Sequence, residues 1–349
     1  MKCVTLTAVI VSFLPKVYSW GASGHEAVGA IAQQFLASKA SSFVASTLAS
    51  GETLSSAATW ADTVRSESAF SWSAPFHFVD AEDNPPTSCS VSESRDCSSG
   101  TCILSAIANY TSRVIDDSLS HEQVYEALKF LGEYIFSSKK SYRFLDDTPF
   151  PRPRCDQTKY CAQFLGDVGQ PLHVEAFEVG GNDVKAKCSG SSTNLHAVWD
   201  SGIINKRLKA DFGNSVSSWA STLATRIESG EYASLTSDWI TCSSTTEQAP
   251  KKRRNVETDI KGHLASRSTN PLECPHIWAT EANQLNCDFV FTYTQFSDLC
   301  STSYYDDAIP LASHASGFYQ VLHLGLRSID RTSTCETRVP FGCLAECPF

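Results

Sequence analysis

Apolar residues recur along this chain at intervals of three and four, and that spacing restricts the fold more than any other feature. In "GHEAVGAIAQQFL", Val28, Ile31, Ala32 and Leu36 fall on one face of a helix. The same period runs through "SAATWADTVRSE", "CILSAIANYTSRVIDD" and "EQVYEALKFL". "STNLHAVWDSGII" opens with Ser, Thr and Asn, whose side-chain oxygens cap helix N-termini. Stretches such as "SWSAPFHFVDAEDNPPTSC" are rich in Pro, Asp and Ser and read as loops. One short hairpin is expected in "AFEVGGNDVKAKC", two runs on either side of Gly180, Gly181 and Asn182. The pattern predicts a mostly α-helical single domain carrying a small β-hairpin.

Residues 1–19 have the form of a secretory signal. Lys2 precedes the apolar core "VTLTAVIVSFL", and Val17 and Ser19 stand at the −3 and −1 positions of a cleavage site. A cut after Ser19 makes Trp20 the first residue of the mature chain. No later stretch approaches the roughly 18 apolar residues of a membrane helix, so a secreted protein with no membrane partner is expected. Export also explains the 14 cysteines as disulfide formers; Cys89, Cys97 and Cys102 in "SCSVSESRDCSSGTC" read as a stapled loop. Asn109 in "NYT" is the sole glycosylation acceptor sequence. A formal net charge of −10 argues against a protein that grips nucleic acid by a basic surface. If phosphodiesters are handled, bound metal must neutralise them.

Groups able to bind metal occur in five places. His196 and Asp200 stand four apart on one helix face in "NLHAVWD". "GDVGQPLH" offers Asp167 and His173, with Gly169 and Pro171 bending the chain between them. Asp62 and Arg65 lie one turn apart in "ATWADTVR", His77 and Asp80 share "PFHFVD", and His25 follows Trp20. Singly, each is ordinary, since an acid–imidazole pair at that spacing often just supports a helix. Their occurrence together, in one exported chain, points to a metal site.

With "WGASGHEAVGAIAQQFL", "ATWADTVR", "PFHFVDAEDNPPTSC", "FLGDVGQPLH", "GGN" and "NLHAVWD" in that order, the chain resembles the S1/P1 nuclease family. These are secreted, zinc-dependent, single-strand-specific nucleases and 3′-nucleotidases. The motifs cover most of residues 20–131 and 164–205, with weaker likeness at 273–287. The resemblance implies a disulfide-stapled helical fold of the phospholipase C/P1 nuclease type and three zinc ions per chain. Trp20 would hold one ion through its free α-amine and carbonyl, with His25 and Asp167. Asp62, His77 and a bridging Asp167 would hold the second; His173, His196 and Asp200 the third. Asp62, Arg65, Asp167 and Asn182 form the implied catalytic set. Arg65 contacts the phosphate, Asn182 holds the scissile group, and Phe78 with Asp80 receives a base. Implied substrates are single-stranded DNA and RNA and 3′-nucleotides, opened by in-line attack of a metal-activated hydroxide to leave 5′-phosphates. A monomer with no obligate protein partner is implied, as are disulfides Cys97–Cys102 and Cys89–Cys287. Partners for Cys188, Cys242, Cys274 and Cys300 stay open.

The chain departs from the family at Gln163, where the pattern has another zinc-binding His. Taken literally, Gln163 weakens the site of Asp62 and His77 and admits an inactive secreted relative. A zinc phospholipase C-type phosphodiesterase is the other alternative. Residues 132–163 interrupt a helical pattern that otherwise joins "LKFL" to "FLGD" and read as a translated, unspliced intron. Gly132, Glu133 and Tyr134 can be encoded as GGTGAGTAT, which contains a splice donor, and Gln163 as CAG, an acceptor end. The nuclease domain is then 20–312 and the tail 313–349 is atypical. Setting aside Cys3, Cys155, Cys161, Cys335, Cys343 and Cys347 from the 14 leaves eight, which can all pair.

Overall fold

A computed structural model describes residues 20–131, 164–239, 242, 244–249, 272–293 and 296–315. The expected signal, the 132–163 insert with Gln163, and residues 316–349 of the tail lie outside the described residues.

The expected helical periods become helices. Ala22–Phe35 buries Val28, Ile31 and Ala32; Leu36 falls at its C-cap and is only partly covered. The helix lies hard against Leu54–Ala57, because Gly29 presents no side chain: a Cβ there would stand 2.4 Å from the Leu54 carbonyl oxygen. Gln33 Oε1 accepts from the Leu54 amide at 3.0 Å across the same seam. "SAATWADTVRSE" covers the end of one short helix, Leu54–Ala57, opened by a Thr53–Ser56 capping box, and the whole of a second, Trp60–Val64. On the first helix's other flank packs Val216–Glu228, with Trp219, Leu223 and Ile227 buried at intervals of four. Ile103–Val114 pairs with His121–Leu131, and Asn109 points outward from the former. Stacked rings of Phe130 and Phe164, 5.5 Å apart, join the His121–Leu131 helix to the Phe164–Asp167 turn.

The hairpin is real but displaced from its expected position. Lys185–Cys188 pairs antiparallel with Ser191–Asn194, and the loop is Ser189-Gly190, both with positive φ (51° and 81°), as a two-residue hairpin turn requires. Asp298 caps the loop, accepting from the amides of Ser189 (2.9 Å) and Gly190 (2.6 Å). Gly180 and Gly181 instead belong to the tight Glu178–Gly181 turn. A Cβ on Gly180 would meet the Leu172 carbonyl oxygen at 2.6 Å, so these glycines serve close backbone approach.

Four disulfides tie the elements together. Cys89–Cys287 and Cys97–Cys102 form as the resemblance implied, and the open four resolve as Cys188–Cys300 and Cys242–Cys274. Sequence separations of 198 and 112 mean that two of them close long loops. In the chain-entropy account each such closure removes up to about 5 kcal/mol of unfolded-state freedom.

Candidate metal centre

Asp167 ends the Phe164–Asp167 turn and is completely buried. Three imidazoles from three segments converge on its carboxylate. His77 Nδ1 lies 2.8 Å from Oδ2, while His25 Nε2 and His173 Nδ1 stand 3.2 and 3.3 Å from Oδ1. Asp62 joins the group at 3.8 Å from both His25 Nε2 and His77 Nδ1. Arg65 Nη1 sits 3.4 Å from Asp62 Oδ1, and this acid–guanidinium pair forms the more open edge of the cluster. A second group continues through His173, whose Nε2 is 3.6 Å from Asp200 Oδ1; His196 Nε2 is 3.1 Å from Asp200 Oδ2. The rings of His173 and His196 stack with centroids 5.1 Å apart, and one ligand atom from each of His173, His196 and Asp200 falls within a 4.8 Å cluster.

Local sequence explains each placement. His25 rides the first helix and fits against Asp167 because its neighbour is Gly166, where a Cβ would press on His25 Nδ1 at 2.9 Å. His77 closes a 3-10 turn, Ser71–His77, inside the stretch expected to be loop. His173 lies in a second 3-10 turn, Pro171–Val174, whose proline supplies the fixed φ of a first helical position. Asn286 Nδ2 donates to the Pro171 carbonyl (2.8 Å) and Asn283 Nδ2 to that of Val174 (2.9 Å), pinning this turn to the Glu273–Leu285 side of the fold. The Val79 amide donates to the His173 carbonyl at 3.0 Å and so couples the His77 and His173 segments. Asp200 sits in a π-turn, Val198–Gly202, a widened helical turn of the kind that collects at functional sites. Trp199 beside it is anchored by donating from Nε1 to Tyr304 Oη at 2.8 Å.

The electrostatics favour a cation. Burial alone would raise the Asp167 pKa, but the facing imidazoles of His25, His173 and His77 hold it well below the usual carboxylate range. Asp200 is lowered likewise, against its own burial, by His196 and His173. Burial works to lower the pKa of His173, yet the two carboxylates flanking its ring push it up to about 10. Protons therefore gather where a divalent ion would supply the charge. Hydrogen bonding tests the fit. His77 Nε2, Asp167 Oδ1 and Asp200 Oδ2 are buried with no hydrogen-bond partner, although ring nitrogens stand 3.1 to 3.3 Å from the two oxygens. Two buried carboxylate oxygens left unsatisfied beside several ring nitrogens form a donor set that fits a shared ion. His196 Nδ1 faces the Gly180 carbonyl at 2.7 Å. A carbonyl only accepts, so the proton is on Nδ1 and the Nε2 lone pair faces the cluster.

Other expected site residues surround this centre. Trp20 is buried, and the following amide, Gly21 N, donates to the Asp200 carbonyl at 2.7 Å, bringing the Trp20 peptide beside the Asp200 segment. Phe78 is half-buried with its ring 5.0 Å from that of His173, and Asp80 is exposed nearby in the chain. Asn182 follows the turn whose Gly180 carbonyl holds His196, and its Nδ2 donates to the Val179 carbonyl at 2.9 Å.

Sequence reasoning missed Gln170. This fully buried amide donates from Nε2 to Asp200 Oδ1 at 2.5 Å and accepts from the Leu172 amide through Oε1, fixing both Asp200 and the His173 turn. Partners that orient ligands tune affinity as strongly as many ligands do. Gln170→Ala is expected to weaken divalent-metal binding at this centre about 10- to 100-fold with the fold retained, measured by competition with a chromophoric chelator.

Comparison with known proteins bears on this geometry. A family model described as S1/P1 Nuclease matches residues 20–135 and 142–316. Nuclease PA3 of a Penicillium species and Nuclease P1 of Penicillium citrinum are each 38% identical over 296 residues, covering 83% of this chain and 90% of the relative. Nuclease S1 of Aspergillus oryzae is 33% identical over 319 residues, covering 89% of this chain and 91% of the relative.

Proposed function

The chain belongs to the S1/P1 nuclease family, and on that premise we propose that it is a secreted, zinc-dependent endonuclease. Its substrates are single-stranded DNA and RNA, cut to 5′-phosphate products, and 3′-nucleotides, from which it removes phosphate. The observation that carries this reading is the fully buried Asp167 carboxylate, ringed by three imidazoles from separate segments and linked through His173 to a second acid–imidazole group. Nitrogen and oxygen donors of this kind suit Zn²⁺.

The residues divide into roles. Asp62, His77 and Asp167 hold one ion; the Trp20 amine and carbonyl with His25 and Asp167 hold another; His173, His196 and Asp200 hold a third. Zinc bound there supplies Lewis acidity and acidifies coordinated water. Arg65, held beside Asp62 at the open edge, neutralises a phosphoryl oxygen as charge builds. Asn182 donates to the scissile group. Phe78 stacks on a base and Asp80 accepts its N–H groups, which requires an unpaired base and so selects single strands. The metal cluster also supplies the positive charge that a chain of net −10 lacks. Four disulfides among the described residues fit export, and exposed Asn109 is available for glycosylation. The protein works as a monomer.

The test is direct. Purified protein with zinc is given denatured DNA, native DNA, 3′-AMP and lecithin. Cleavage of denatured over native DNA, phosphate from 3′-AMP, and about three zinc per chain are expected. Choline phosphate from lecithin would establish the phospholipase alternative, and one zinc or none the inactive one. Expression with and without residues 132–163 tests the intron reading, under which the shorter chain is the more active.

A further inference from the structure

A single stretch, residues 177–184, serves both the metal centre and a separate cavity. On one side Gly180 gives its carbonyl to His196. On the other, Phe177, Glu178, Asp183 and Val184 line a cavity of about 470 Å³, completed by Lys185, Phe291 and Tyr293 among others. That volume is typical of small-ligand sites and admits a nucleotide. Neither Phe78 nor Asp80 lines it, so it is distinct from the base position already assigned.

Its walls are aromatic and unusually open. Among the described residues six large hydrophobic side chains are exposed, and two of them, Phe177 (38%) and Phe296 (68%), line this cavity. Phe177 packs edge to face with Phe291 at 5.6 Å, yet much of its ring stays uncovered. The backbone is strained at the same place. Glu178 and Val179 hold φ of 49° and 56°, a left-handed conformation that non-glycine residues populate at a penalty of about 1–3 kcal/mol and that clusters at functional sites.

We infer that this cavity is a second base subsite, which stacks an unpaired nucleobase of the strand whose phosphate lies at the metal centre. The inference rests on the nuclease reading above. Charge identifies the occupant. Glu178 and Asp183 face the cavity against a single cation, Lys185, so an anion is repelled from the interior. A base is neutral, offers its π face to the rings and exocyclic amino groups to the carboxylates, and leaves its phosphate at the rim near Lys185. Continuity through Gly180 places that base on the strand being cut rather than on an unrelated ligand. The subsite therefore serves polynucleotides and adds nothing for a mononucleotide.

Phe177→Ala, Phe177→Tyr and Lys185→Ala test it, none of them altering a residue of the proposed metal or phosphate machinery. Each is assayed on a single-stranded DNA octamer and on 3′-AMP, with a thermal melt to verify folding. Phe177→Ala is expected to lower kcat/KM on the octamer about 5- to 100-fold, the value of one base stack, chiefly through KM. Lys185→Ala should give a smaller rise in KM, Phe177→Tyr should keep wild-type behaviour, and all three should match wild type on 3′-AMP. An unchanged octamer KM for Phe177→Ala, or equal losses on both substrates, overturns the subsite while the nuclease reading stands. So does competitive displacement of the octamer by phosphocholine that Phe177→Ala abolishes, which would make the cavity a cage for a quaternary ammonium. Wild-type protein inert on both substrates overturns the nuclease reading and the subsite with it.

Discussion

Asp167→Asn is expected to abolish nuclease activity, by a thousandfold or about that, and to strip most of the zinc from the protein. Asparagine keeps the shape of the side chain, so a site with no solvent exposure suffers neither cavity nor clash. What disappears is one negative charge, and it is the charge on which three imidazoles converge at 2.8 to 3.3 Å. On the proposed ligand assignment, two ions would lose an anionic ligand, and an amide offers only a weak carbonyl in exchange. Charge stabilisation by metal is worth several kcal/mol in the transition state, and each 1.36 kcal/mol is tenfold in rate. Asp62→Asn should be milder, because Asp62 is more exposed and touches the cluster only at 3.8 Å. The measurement is kcat on denatured DNA beside zinc per chain, with circular dichroism to exclude unfolding. An Asp167→Asn protein that keeps its zinc and cuts at wild-type rate would remove the basis for placing Asp167 between two ions.

Helical spacing was the legible part of this protein, and it carried most of the fold. The first helix and the His196/Asp200 pair could be drawn from residue intervals alone, because both lie on single helical stretches. The meeting of His25, Asp62, His77 and Asp167 could not. These residues come from four separate segments, and only the family motifs brought them together. Polar residues that hold ligands in place were hard to read: Gln170 stands inside "FLGDVGQPLH" and Asn283 and Asn286 inside the weaker likeness at 273–287, but none has periodicity, and their meaning lies in partners distant in sequence or across a turn. Glycine was ambiguous for a physical reason. Gly180 and Gly181 carry the same sign of φ as a hairpin loop, but what demands them is the approach to Leu172 and His196. The loop itself, Ser189-Gly190, sat unnoticed between "KAKC" and "SSTN". Four leftover cysteines allow three pairings, so spacing alone could not choose Cys188–Cys300 with Cys242–Cys274.

Removing zinc should lower the melting temperature by on the order of 10 °C near neutral pH, and the gap between loaded and chelated protein should widen as pH rises from 6 to 9. The size follows from mass action. Ligand at a thousand times its Kd stabilises by about 4 kcal/mol, and a domain of about 250 residues shifts by about 2–4 °C per kcal/mol, with less expected for one as large as residues 20–312. The trend follows from His173. In the metal-free protein its pKa rises from 6.5 to about 10, because carboxylates flank both ring nitrogens. A raised histidine contributes stability that is fully present below 6.5 and is lost as pH climbs toward 10. Asp167 and Asp200 are depressed, so their contribution is lost only on acidification through those lowered values and is constant from pH 6 upward. On the proposed reading a bound ion would take the place of the proton, so the loaded protein would lack the alkaline loss, and its ligands would meet less competition from protons as pH rises. One buried group acts on both forms. Glu175, pushed up to about 8 by burial and then by Asp83, favours the folded protein when protonated, and its contribution fades between about pH 4.5 and 8 with or without metal. The difference between paired melts cancels Glu175 and isolates the cluster, whereas either melt alone does not. A gap that stays level from pH 6 to 9, or chelated protein more stable at pH 9 than at pH 6, would mean that His173 is not the proton-binding stand-in for a metal ion.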